Sequence, residues 1–208
     1  MLSGGGLKMA QRRPRGEKKS GGVMNALTAA VRGGIDRITN AFGVDDDLNA
    51  MDLLTAQHRY VEKLFAQISD ETGARKSATF RELADMLAVH TAIEEQIFYP
   101  SVKSAATEDL LSESAEEHLA MKRTLADLLE MDVASDDFDA KLKVLEEEVS
   151  HHAKQEEERK LFPLIRAEQD ADFMAALAND MIALMVTLSE RGNPRLAVPS
   201  ETSAASPL

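Results

Sequence analysis

Six polar residues stand at positions where apolar side chains would be expected. His58, His90, Glu94, His118, His152 and Glu156 each fall in step with apolar residues three or four positions away, where a Leu would point into a helical core. Burying a lone carboxylate is strongly unfavourable, whereas six such residues converging is cheap if a cation lies between them; the alternative is a buried polar network or exposed His. The spacing favours convergence. His90 and Glu94 are four apart, as are His152 and Glu156, so each pair shares one helix face. The pattern also repeats: His58 precedes the first pair by 32 positions, and His118 precedes the second by 34. Each half then reads as a helical hairpin giving one His from its first helix and a His/Glu pair from its second. Four His and two Glu suit two iron ions with bridging carboxylates. A Glu four residues beyond a His is a weak signal in so acidic a chain. The placement of all six residues in register, on four separate stripes, is what gives it weight.

The elements that must position these residues are helices. Apolar stripes run through Leu54, Val61, Phe65 and Ile68; through Phe80, Leu83, Leu87 and Ile97; through Met121, Leu125 and Leu128; and through Phe138, Leu142, Leu145 and Val149. Two more, Met24 to Phe42 and Phe173 to Leu188, flank them. No stretch alternates with period two, so the class is all-α. Short connections at 70–76, 101–107 and 132–137 predict an up-down-up-down four-helix bundle over 48–168. An amphipathic helix is expected at 23–43 and a C-terminal helix at 170–191. Residues 1–22 and 194–208 lack periodicity and read as disordered. The 24–42 stripe is expected to pack on the bundle or to join two copies as a homodimer.

Composition narrows the chemistry. The chain has 208 residues and no Cys, which removes disulfides, thiolate metal sites and thiol catalysis. The net charge is −12, and the leader at 1–22 holds six bases against one acid, so the remainder is more acidic still. A strongly negative bundle repels phosphates, so no nucleic acid is expected on it. No apolar run is expected to reach the roughly 18 residues of a membrane span, which makes the cytoplasm the expected location. His151 is expected to face solvent or hydrogen-bond beside the cluster, and Met51, Met86, Met121 and Met131 to fill core space. Tyr60 and Tyr99 lie off the stripes and receive no role.

The segments "LLTAQH" (53–58), "HTAIEEQIFYP" (90–100), "AEEH" (115–118) and "HHAKQEEERKLFP" (151–163) resemble the hemerythrin-like HHE cation-binding domain over about residues 50–166. That resemblance implies an oxo- or hydroxo-bridged di-iron centre with the six residues above as its ligands. It also implies a small ligand such as O2, peroxide or nitric oxide. Oxygen carriers of that kind place a second His four residues beyond the ligand of the third helix, where this chain has Lys122. The departure moves the expectation toward sensing or slow peroxide chemistry. The alternative is a non-enzymatic module in which iron occupancy stabilises the bundle and displays it to a protein partner.

One irregularity predicts a local distortion. His90 to Pro100 is ten positions, but His152 to Pro163 is eleven, and beyond Glu156 the stripe resumes at Leu161. A π-turn between Val149 and Leu161 would absorb the extra residue, and Glu157 could then replace Glu156 at the metal. No such turn is expected from Leu87 to Phe98.

Overall fold

The structure is a computed structural model and describes residues 48–208. The basic leader, the 23–43 helix and the homodimer contact expected of it lie outside the described residues. Four helical rods carry the stripes. α1 is Ala50–Asp70, capped by Asn49, whose side-chain oxygen accepts the backbone N–H of Asp52. A two-residue turn leads into α2, Gly73–Ile93, and Gly73 makes that turn possible with φ at 59°, a conformation costly for residues with a Cβ. α2 runs on through a π-helical segment, Glu94–Phe98, into α3, Tyr99–Val102. α4 is Glu108–Glu130. α5, Asp136–His151, starts on the Ser135 cap and continues through a longer π-helical segment, His152–Leu161, into α6, Phe162–Glu168. α7 is Ala171–Glu190, capped by Asp170.

The described residues contain no strand and form a helical bundle. α1 packs on α2, α4 packs on α5 and on the long π segment, and α7 lies against α1 and α2. The apolar interior is split into two clusters. One gathers Val61, Phe65, Phe80, Leu83, Leu125, Phe138 and Leu145. The other gathers Leu54, Ile93, Phe98, Leu111, Leu161, Phe162 and Met181. On each of the four rods the break between clusters falls at the same place, beside His58, His90, His118 and His152. Polar residues thus fill a layer between two hydrophobic ones.

Two expectations need correction here. α7 does have the length and mean hydropathy, 1.5, of a membrane span. Asp172, Asn179 and Asp180 interrupt it, but the Ala, Leu, Met and Val around them keep the average high. Its inner face, with Met174, Leu177, Ala178, Met181 and Met185, is buried on the bundle. The 194–208 segment, expected to be disordered, is packed down as two short 3-10 turns, Pro194–Leu196 and Val198–Glu201. Isolated anchors hold it rather than a periodic face. The Arg195 guanidinium donates to Asp85 at 2.6 Å, and Val198 is buried in the core.

Candidate metal centre

α1 brings in His58, and the second rod brings His90 and Glu94 from one face. α4 brings His118. The fourth rod brings His152 and, five residues on, Glu157. In a π-helix the N–H bonds the carbonyl five residues back, as Phe162 does to Glu157 and Tyr99 does to Glu94. That wider turn places His152 and Glu157 on one side and rotates Glu156 away. The donor atoms form two groups, each with all atoms within 4.8 Å of one another: His58, His90, Glu94 and Glu157 in one, and Glu94, His118 and His152 in the other. Glu94 belongs to both.

Each imidazole is fastened at its far nitrogen. His58 Nδ1 lies 2.8 Å from Glu158, His90 Nδ1 2.7 Å from Gln57, His118 Nδ1 3.0 Å from Glu95, and His152 Nδ1 2.8 Å from Glu117. A carboxylate or amide oxygen only accepts, so these contacts place a proton on Nδ1 in all four rings. In the neutral ring Nε2 is then a bare lone pair, and all four Nε2 atoms face the centre. His118 Nε2 and His152 Nε2 stand 3.0 Å apart. Two lone pairs at that distance repel unless a cation or proton lies between them.

The carboxylates make the same demand. Among the described residues, both oxygens of Glu94 are buried without a hydrogen-bond partner, and Glu157 Oε2 has only His58 Nε2, 3.1 Å away. Leaving such charges uncompensated costs several kcal/mol each. The donor set, imidazole nitrogen and carboxylate oxygen with no thiolate, suits hard or borderline cations such as iron.

Electrostatics in the metal-free chain show what a cation would relieve. Burial, reinforced by the neighbouring Glu157 charge, pushes the Glu94 carboxyl well above its usual range. Burial also opposes ionisation of Glu157, but His152 and His58 outweigh it and hold that carboxyl far down. Burial drives His118 down to about 4, despite Glu95, and His90 well below 6.5. His58 goes the other way: burial disfavours its charge, yet Glu157 and Glu158 raise it to about 9. Two imidazoles are thus held neutral, as ligands must be.

The hemerythrin HHE cation-binding domain matches residues 49–189 of the chain. The protein belongs to the hemerythrin HHE cation-binding family. A curated relative, a "DNA nickase" from Nostoc sp. strain PCC 7120, is 26% identical over 172 residues, covering 82% of this chain and 48% of the relative. The chain therefore spans about half the length of the curated relative it matches. A solved structure, a hemerythrin HHE cation binding domain-containing protein from Mycobacterium kansasii, aligns with a TM-score of 0.64 at 23% identity. That alignment covers 74% of this chain and 99% of the other, and it shows a shared fold.

Within this family frame, five of the six residues singled out in the sequence come together: His58, His90, Glu94, His118 and His152. Glu156 does not. Its carboxylate is held by Lys160, with Nζ at 2.8 and 2.6 Å, and lies 3.3 Å from His151, which is exposed as expected. Glu157 takes the inward place because the π segment inserts one residue per turn. The segment predicted between Val149 and Leu161 is present, and it also resolves Lys160, which reaches the surface. Helix two, expected to be regular, carries its own π segment at Glu94–Phe98. There the wide turn advances the buried face by one residue, so Phe98, Tyr99 and Val102 are buried and Ile97 is only half-buried.

Tyr99, given no role above, is a consequence of that shift. Its hydroxyl donates to Glu157 Oε1 at 3.0 Å and stands 3.3 Å from His118 Nε2 and 3.5 Å from His152 Nε2. The orienting residues Gln57, Glu95, Glu117 and Glu158 also went unread. Each is the immediate sequence neighbour of a residue in the cluster, which is the signal that could have found them. Lys122 completes this shell by donating to Glu95 at 2.7 and 2.9 Å, so the position one turn after His118 supports a ring instead of adding one. Removing an orienting partner typically lowers metal affinity by about 10–100-fold. Gln57→Leu and Glu117→Gln are each expected to weaken metal binding by that order while the bundle stays folded. Competition with a chromophoric chelator measures it, and unchanged affinity in both variants would show that the far-side bonds do not position the rings.

Proposed function

We propose that this bundle holds two iron ions side by side and uses them to bind or sense a small molecule, O2, peroxide or nitric oxide, with slow turnover of peroxide. The observation that carries the reading is the pair of donor groups sharing Glu94, with four imidazole Nε2 atoms and the buried carboxylates of Glu94 and Glu157 aimed at one interior. His58, His90 and Glu157 would serve one ion and His118 and His152 the other, with Glu94 shared between the two groups. We take the four rods to alternate in direction, which lets neighbouring helices present these residues at one level. When bound, the iron pair supplies electrons and open coordination positions for the small molecule.

The chain's own residues do the rest. The Nδ1 bonds fix the tautomers and keep the rings from turning. The two apolar clusters above and below the layer exclude water, which strengthens every electrostatic interaction inside. The Tyr99 hydroxyl holds a proton 3.0 Å from Glu157 and beside two Nε2 atoms, placed to hydrogen-bond an anionic group at the centre. Every donor residue in the two groups is at most 5% exposed, which favours a molecule of a few atoms over a polymer at the centre. The nicking activity in the Nostoc relative's name is therefore not carried over to this site.

Purification under air followed by metal analysis should give close to two iron atoms per chain and negligible zinc. Azide, peroxide or nitric oxide should shift the near-ultraviolet and visible absorption. One zinc and no iron after reconstitution would overturn the two-iron reading. Two irons with a spectrum indifferent to all three ligands would favour the second reading, an iron-responsive structural module presented to a protein partner. That reading draws on the far-side bonds, each of which joins two different rods.

A further inference from the structure

The C-terminal segment covers the metal layer from one side. It is fastened at several points. The Arg195 backbone N–H and guanidinium donate to Asp85 at 3.0 and 2.6 Å. Lys122 pairs with Glu201 at 3.1 Å, and Arg123 Nε donates to the Thr202 carbonyl at 3.0 Å. Between these fastenings Val198 points inward and is 1% exposed. Directly beneath it lies a cavity of about 20 Å³, walled by Leu87, Ala88, Val149 and Val198 and bounded by the rings of His58 and His152. On the outer side is a surface pocket of about 200 Å³, lined by Ala88, Ala92, Leu188, Pro194, Ala197 and Val198. Ala88 and Val198 line both spaces and so form the wall between them.

The inner cavity's size and chemistry define what it takes. Its volume exceeds the roughly 10–15 Å³ that one water needs. The atoms facing the space are apolar, because the ring nitrogens are turned to the metal layer or to their Nδ1 partners. A water there would miss the two to four polar partners it requires, and an anion would lose its hydration with nothing in exchange. Small apolar molecules carry no such penalty. A larger apolar cavity, of about 150 Å³, stays dry and binds xenon.

We infer that small uncharged diatomic molecules reach the histidine cluster through the Ala88–Val198 wall, and that Val198, held by the C-terminal strap, sets their rate of entry. This deepens the ligand-binding reading of the centre and rests on it. Entry requires a side chain to move aside, which slows association below the encounter rate. The charged fastenings lie on both sides of Val198 and leave its neighbour Leu196 exposed, so a small outward shift of the 3-10 turn opens the wall without unfolding a helix.

The test uses two probes on the full chain. Xenon, followed by 129Xe NMR, reads the cavity with or without metal. Nitric oxide, mixed rapidly with the reduced iron-loaded protein, reads entry. Wild type should bind xenon, Val198→Phe should abolish that binding, and Val198→Ala should speed nitric oxide association by about tenfold, as expected when a moving barrier is removed. Leu196→Ala should change neither. If Val198→Phe does not fold, Val198→Ile, which adds one methylene at the wall, should weaken xenon binding and slow association. No xenon site in wild type, or equal nitric oxide rates in wild type and Val198→Ala, overturns the inference while leaving the metal centre standing. Val198-dependent xenon binding, with no spectral response to nitric oxide, azide or peroxide in any variant, overturns the ligand-binding reading and the entry role with it.

Discussion

Stripping the metal should lower the melting temperature by about 10 °C. A ligand present at a thousand times its dissociation constant stabilises the folded state by about 4 kcal/mol. In a chain of this size each kcal/mol moves the midpoint by about 2–4 °C. The physical source is the buried pair Glu94 and Glu157: without a cation neither Glu94 oxygen has a hydrogen-bond partner, and Glu157 Oε2 has only the nearby His58 ring. The stripped protein should also acquire a stability maximum near neutral pH. His118 and His90 have folded pKa values below their unfolded 6.5, so the unfolded chain binds more protons in acid and stability falls as pH drops below 6.5 toward about 4. His58 has a folded value of about 9, so its contribution is complete below 6.5 and is lost as pH rises through about 9. In the loaded protein the metal replaces the His58 proton, and the alkaline loss should vanish. Scanning calorimetry of both forms across pH 5 to 10 checks this. Equal melting temperatures would remove the case for a cation in the layer.

The second large effect separates two adjacent glutamates. Glu157→Gln should reduce metal affinity by more than the roughly 10–100-fold that an orienting partner is worth, because it removes an inward charge itself. Glu156→Gln should leave the metal content unchanged and disturb only the contacts of Lys160 and His151 at the surface. Metal analysis after equilibration against a chelator distinguishes them. The reverse ranking would mean that the fourth rod is regular around the site and that the residue four beyond His152 is the one that counts.

Those two residues also show how far the sequence could be read. The bundle, the stripes and five of the six inward residues follow from periodicity alone, because a wrong polar residue in an apolar stripe is conspicuous. The wide turn in the fourth rod was legible because the spacing to Pro163 is one residue too long and Leu161 falls out of step. The matching turn in helix two was not. Ile97 continues the regular stripe while Phe98 and Tyr99 are also apolar, so either register looks satisfied and nothing in the pattern chooses. Tyr99 was lost with that choice. The C-terminal strap was illegible for a different reason: one valine and a few charged anchors hold it, and neither has a period.

The far-side bonds of the four imidazoles have a consequence for assembly. α1's His58 is held from the fourth rod by Glu158, and that rod's His152 is held from α4 by Glu117. α4's His118 is held from the second rod by Glu95, and that rod's His90 is held from α1 by Gln57. Each rod gives one acceptor and receives one, and the links close into a circle. Two of the four links cross between the hairpins, so a hairpin taken alone keeps only one of them. The repeat visible in the sequence therefore does not divide the protein into two independent half-sites, each able to hold one ion. The circle depends on four rods being present and not on the loops that join them. Two hairpins made as separate polypeptides would each be incompetent alone and would become competent only on meeting, so that metal uptake would report their reunion.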